Sequence, residues 1–160
     1  MDDFIDIEDE RRIRRLCALY CHYFSHGLAE DFAALFTSDG RFTRLYAGAA
    51  QHGNFGNPAG SVQGTNDLTA LVRQRATVFR NMVRHHQTDI VVRPGPDADH
   101  AVAKSYMLVT DWRDGPGKLT GTAECYSEFE RTPQGWRFKS ITLATHPRAP
   151  DQPEQPLPKA

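Results

Sequence analysis

Two histidines stand side by side in the stretch "NMVRHHQTDIVV", Asn81 to Val92, where the residue pattern changes from helical to extended. An imidazole titrates near neutral pH, so with little tuning it can take a proton from a carbon beside a carbonyl, or in an elimination. Adjacent side chains of a strand point to opposite faces, so only one of His85 and His86 can look into a pocket. These residues alone leave open which one does, and whether the inward ring does chemistry or is a hydrogen-bonded structural histidine.

Other candidate chemistry is set aside. Cys17, Cys21, His22 and His26 recur four apart, but Cys17 shares a helix face with Tyr20 and Phe24 while His22 points about 200° away from Tyr20, so the four cannot converge on a metal. The glycines of "GNFGNPAG" follow no phosphate-binding pattern, and no Ser or Cys stands in a nucleophile elbow. No metal and no cofactor are expected.

The elements that must position the histidines follow from periodicity. Asp9 to Phe24 is an amphipathic helix with Ile13, Leu16, Cys17, Tyr20 and Phe24 on one face, and Gly27 breaks it. "AEDFAALF" is a short second helix, "SDG" a turn and "RFTRLY" a first strand. Ala47 to Gly64 has no period and is expected to be a long binding loop. A third helix is capped by Thr65 or Asn66 and runs through "DLTALVRQRATVF". Four strands follow, "HHQTDIVVRP", "HAVAKSYMLVTDW", "KLTGTAECYSEFER" and "GWRFKSITLATH", separated by Pro- and Gly-containing turns, which makes an antiparallel meander. Helices before a meander predict an α+β domain with helices on one face of a curved sheet. This single domain spans residues 1–146. The tail 147–160, with five prolines in "PRAPDQPEQPLPKA", is expected to be extended or disordered.

Composition narrows the class. A chain of 160 residues with 39% apolar content holds one core, and a net charge of -1 with no basic stripe excludes nucleic acid as an expected partner. No apolar stretch is long enough to span a bilayer, and the acidic opening "MDDFIDIEDE" is unlike a secretory signal. Three cysteines fit reduced thiols better than a disulfide framework, so a cytoplasmic protein is expected, with no membrane partner. Long strands carrying Trp136, Phe138 and outward apolar residues leave a broad sheet face, from which a homodimer or homotrimer is expected.

The helical "LCALYCHYFSHGLAEDFAALFTSDGRF", the strand start "RHHQTDIVV" and the later "GTAECYSEFERTPQGWRF" resemble the SnoaL-like branch of the nuclear transport factor 2-like superfamily, over roughly Ile7 to Thr145. The resemblance implies a cone-shaped, cystatin-like α+β barrel in which a curved antiparallel sheet and N-terminal helices enclose an apolar pocket. It also implies that a histidine starting the strand after the third helix is the general base, which here is His85. His86 then shares the outer face with Thr88, Ile90 and Val92. Family members pair that histidine with an aspartate at the end of the first helix, and Ser25 stands there instead.

Around His85 the expected site collects Tyr20, whose hydroxyl can face the cavity or merely sit in the core. It also includes Arg44, which shares a face with Phe42 and Tyr46 and aligns with a pocket tyrosine of the dehydratases. An inward guanidinium needs an anion, whereas an edge-strand arginine would lie in solvent. Asp89 on the strand of His85, and Tyr106, Asp111, Glu124 and Tyr126 on neighbouring strands, complete the expected substrate-binding set with Ser25 and Tyr46. The implied function is a cofactor-independent lyase, isomerase or cyclase acting by proton transfer on a small, mostly apolar carbonyl compound. The alternative is a non-catalytic binding or partner-subunit module of the same fold; His85 favours the first, Ser25 the second.

Overall fold

Asp6 starts the first helix: its carboxylate accepts the backbone N–H groups of Glu8 and Asp9 at 2.9 and 3.3 Å, and three acidic residues in the first turn complement the helix dipole. The computed structural model describes residues 4–45 and 60–146 of the chain. Helix α1 runs Ile7–His26 and buries a stripe from Ile13 through Phe24 to Ser25 before Gly27, at φ 69°, closes it in the left-handed conformation that glycine adopts without cost. Then come α2 (Ala29–Ala33), β1 (Phe36–Leu45), β2 (Gly60–Gln63) and α3 (Thr65–Phe79). The strand β2 lies inside the stretch expected to be all loop. Arg80 and Asn81, at φ 51° and 53°, stop α3 and turn the chain into β3 (Val83–Pro94), which is followed by β4 (His100–Asp111), β5 (Lys118–Thr132) and β6 (Gly135–His146).

The strands β3 to β6 form the expected antiparallel meander within one six-stranded sheet of order β2-β1-β6-β5-β4-β3. Here β1 pairs parallel with β6, Phe42 opposite Ile141, so the sheet is mixed rather than wholly antiparallel. The strands β2 and β3 remain edges, and the curved sheet is unclosed. Its inner face, with Ala103, Met107, Cys125, Phe129, Ile141 and Leu143, joins the helices in one core. A chain of rings runs through that core, Phe24 to Phe32 to Tyr20 to Phe138 to Phe129, with centroids 4.8 to 6.0 Å apart. Trp136 and Phe138 belong to this interior, at 3% and 0% exposure, and not to an open sheet face.

One irregularity changes which residues face the helices. The β3–β4 register shifts between Thr88 and Val91, and Asp89 within that bulge sits at φ 53°. Before it, Val83, His85 and Gln87 point toward the helices; after it, Val92 does, at 8% exposure. Ile90 and Val92 therefore pack on the core instead of lying beside His86, and Asp89 leaves the face of His85.

The far end of α1 is clamped to the sheet. Arg131 donates to both oxygens of Asp9 at 3.1 and 2.6 Å, the Trp136 indole donates to Oδ1 at 2.9 Å, and the Arg131 guanidinium lies 4.5 Å over the Trp136 ring. The Arg131 bonds hold the Asp9 carboxyl below its ordinary value of 3.8. Such a group contributes stability that is complete above the unfolded value and is lost as pH falls through the folded one. Asp9→Asn should cost about 2 kcal/mol in urea unfolding at neutral pH, and the gap from the unsubstituted chain should narrow on acidification below 3.8. A gap independent of pH would contradict the charged clamp.

Candidate functional site

His85 is gripped by one side chain at two points. Its backbone N–H donates to Ser25 Oγ at 3.0 Å, and the same Oγ faces its ring Nδ1 at 3.1 Å. The C-terminal turn of α1 delivers Ser25, itself 5% exposed, onto the inner face of β3. The ring packs on Phe24 with centroids 4.7 Å apart. Burial, then the nearby charges of Arg75 and Arg44, hold the His85 imidazole well below its ordinary 6.5. It is neutral at physiological pH.

Which ring nitrogen carries the proton decides what the ring can do. With Nδ1–H donating to Ser25 Oγ, Nε2 offers a lone pair and is a base. With the Ser25 hydroxyl donating to Nδ1, Nε2–H is a donor instead. A carboxylate would enforce the first state; a hydroxyl supports both.

Two guanidinium groups share this region. Arg75 of α3 is 6% exposed and lies over the rings of Phe24 and Phe79 at 4.8 and 4.6 Å. Burial and the charge of Arg44 bring Arg75 down to about 9, and Arg44 is lowered by its own burial. Tyr20 interacts with both guanidiniums, and its buried hydroxyl finds no hydrogen-bond partner among the described residues. Nor does Oε1 of Gln87, two residues beyond His85, whose amide N–H donates to Ser105 Oγ at 2.7 Å. Orphaned buried polar atoms are rare in proteins, and each calls for an explanation. Phe24, Ser25, Arg75, Phe79, Val83 and His85 line a small hollow of about 10 Å³.

Ser25 and His85 are thus in contact, with Tyr20 reaching the same region through Phe24 and Arg44 acting on the ring by its charge, whereas most of the other expected residues lie elsewhere. Tyr106, Glu124 and Tyr126 fall on the outer face, because strand alternation turns Ser105 and Cys125 inward. With Asp89, turned out by its bulge, they line a groove of about 460 Å³ on the opposite side of the sheet. There the Tyr126 hydroxyl donates to Glu124 at 2.6 Å, and Lys104 lies 5.4 Å over the Tyr126 ring. Asp111 is engaged by Arg113, which donates to its two oxygens at 2.7 to 3.1 Å and lies 5.0 Å over Phe79. Tyr46 lies outside the described residues. His86 is exposed and its Nε2 meets Thr110 Oγ1 at 3.0 Å.

Sequence reasoning missed Arg75 and Gln87. The signal for Arg75 was present, since it occupies the apolar stripe of α3 with Leu68, Val72 and Phe79, where a charge needs a reason. Cys17, Cys21 and Cys125 are buried, with burial raising the Cys17 and Cys21 thiols to about 12, and no group of three or more possible metal ligands occurs among the described residues. No described helix is long and apolar enough to cross a membrane.

The family profile described as a SnoaL-like domain matches residues 6–142. No curated protein matches the chain. Among solved structures, an NTF2-like protein with a cystatin-like fold from Novosphingobium aromaticivorans superposes with a TM-score of 0.70 at 24% identity, over 86% of this chain and 82% of the other. A variant of Rv3472, a protein of unknown function from Mycobacterium tuberculosis, gives 0.75 at 25% identity, over 91% and 81%. A protein assigned provisionally as a dehydratase of the NTF2-like family, from Streptomyces avermitilis, gives 0.64 at 14% identity, over 86% and 95%.

The Ser25–His85 contact generates a direct expectation. Ser25→Asp should raise the His85 pKa by about one unit or more, because a carboxylate within hydrogen-bond reach favours the imidazolium. The change would be read by NMR titration of the ring, and an unmoved titration would show that the side chains are not neighbours.

Proposed function

The chain belongs to the SnoaL-like domain family, and from that premise we propose that it is a cofactor-independent lyase, isomerase or cyclase. It moves a proton on a small carbonyl compound. The observation that carries this reading is the neutral His85 ring, held by Ser25 and packed on Phe24, whose other neighbours include Tyr20 with its orphaned hydroxyl, with the half-buried Arg44 acting on the same ring.

In the tautomer with Nδ1–H on Ser25, Nε2 takes a proton from the carbon beside the carbonyl, and the electron pair of that C–H bond moves to the carbonyl oxygen. Tyr20 and Arg44 stabilise the enolate oxygen. The imidazolium then returns its proton to another carbon, an isomerisation, or to a departing hydroxyl, a dehydration. The provisional dehydratase assignment of the Streptomyces avermitilis relative is compatible with the second. A second reading, a binding or partner module, is favoured by Ser25 alone, since a hydroxyl leaves the donor tautomer open.

Deuterium exchange into enolisable ketones in D2O, followed by NMR, tests the proposal. His85→Ala should slow exchange by about 10² to 10⁴, and His86→Ala should leave it unchanged. The reverse pattern would refute it. Because His85 titrates well below 6.5, the rate for the unsubstituted protein should stay level as pH falls through that value, and a half-maximal rate there would contradict the assignment.

The outer groove is read as a self-association surface. Val91 and Tyr106 are 53% and 54% exposed there, and Arg93 and Lys104 alternate with Asp89 and Glu124, so a second copy related by a two-fold axis finds both apolar and opposite-charge partners. Sedimentation should show a dimer. An 18.0 kDa species alone at micromolar concentration would contradict it.

A further inference from the structure

The inner face holds a second polar centre that the proton transfer leaves unused. Gln87 follows His85 by two residues, before the bulge, so it shares the inner face and stands about 6 to 7 Å further along β3. One helix covers both residues: α1 sets Ser25 on His85, and its Cys21 thiol, one turn earlier, hydrogen-bonds the Gln87 backbone. Between those two contacts Phe24 packs on the His85 ring at 4.7 Å and on the Tyr20 ring at 5.6 Å.

The orientation of the Gln87 amide follows from its neighbour. Nε2–H donates to Ser105 Oγ at 2.7 Å, and the Ser105 side chain, 6% exposed, hydrogen-bonds the buried Cys125. With the Ser105 proton on sulfur, its oxygen accepts from the amide, and the amide oxygen is the atom left over. Oε1 of Gln87 is buried without a partner among the described residues, and so is the hydroxyl of Tyr20, a side chain 1% exposed. The amide oxygen only accepts, whereas the Tyr20 hydroxyl has a proton to donate.

We propose that Gln87 is a specificity-determining residue whose Oε1 accepts a hydrogen bond from a hydroxyl of the substrate, so that the site takes hydroxy-carbonyl compounds in preference to carbonyl compounds without a hydroxyl. The inference rests on the proton-transfer reading of the same site and narrows its substrate class. A carbonyl oxygen accepts from Tyr20 while the hydroxyl donates to Gln87, which gives each orphaned atom the partner its chemistry requires. An amide oxygen has no proton to give, so the hydroxyl it holds is a handle and not the leaving group. Such an acceptor discriminates because an ether or a hydrogen in place of the hydroxyl leaves the buried oxygen unpaired.

The test titrates acetophenone, its three ring-hydroxylated isomers and the matching methoxy compounds into the full chain with ¹⁵N-labelled glutamine side chains. At least one hydroxy isomer should bind about tenfold tighter or better than its methoxy counterpart and than acetophenone, and should shift the Gln87 amide resonances. Gln87→Met should erase that preference. Ser105→Ala, which frees the amide to turn, should weaken it and serves if the Met variant does not fold. Equal binding across the series, the result if a resident water already satisfies Gln87, overturns the proposal, as does a preference that survives Gln87→Met. Neither readout needs turnover. If hydroxy compounds are preferred but His85→Ala leaves proton exchange intact, the catalytic reading fails and the role of Gln87 stands; if the preference is absent while His85→Ala abolishes exchange, only the role of Gln87 fails.

Discussion

Everything in the site depends on the hydroxyl of Ser25 meeting His85 twice. By accepting the backbone N–H of an edge strand it fixes the end of α1 against β3, and by facing Nδ1 it fixes the plane of the ring. A single short side chain thereby sets both the register of helix on strand and the orientation of the His85 imidazole on the inner face. The serine that stands where the family resemblance implies an aspartate changes the chemistry more than the geometry. The ring is still oriented, but it is not charged by its partner and its tautomer is not dictated.

The surroundings reinforce neutrality. Phe24 supports both the His85 ring and the Arg75 guanidinium, and Phe79 closes the other side of Arg75 with Arg113 beyond it. Positive charge close to a desolvated imidazole opposes a second proton, so as pH falls below 6.5 the unfolded chain takes up the proton first and the fold loses stability from that point downward. The αL pair Arg80 and Asn81 lets this happen within a few residues, because it ends α3 just after Phe79 and starts β3 with Val83 and His85 already inward.

Much of the scaffold was legible in the residues. The stripe of α1 and the meander follow from periods of 3.6 and 2, whereas alternation says only that one of His85 and His86 faces inward, and the family resemblance points to His85. The parallel pairing of β1 with β6 was not, since no local pattern encodes a contact between Phe42 and Ile141. The bulge at Asp89 was hidden for a different reason: aspartate tolerates a left-handed backbone without a sequence mark, and one extra residue inverts every later facing on the strand. In β5 the inward residues Cys125 and Ser127 are no more apolar than Tyr126 between them, so alternation could not say which row faced the core. Arg75 was visible as a charge within an apolar stripe, and its meaning emerges only beside His85.

The fold is shared by proteins of many activities, so the chemistry has to be decided at the ring. The most direct measurement is the ¹⁵N shifts of the two His85 ring nitrogens as pH is lowered through 6.5 in the ligand-free protein. The account predicts a neutral ring throughout that range, with the nitrogen facing Ser25 distinct from the other. A ring half-protonated at 6.5 or above would contradict it, because neither the burial nor the two neighbouring guanidiniums would then be acting on His85.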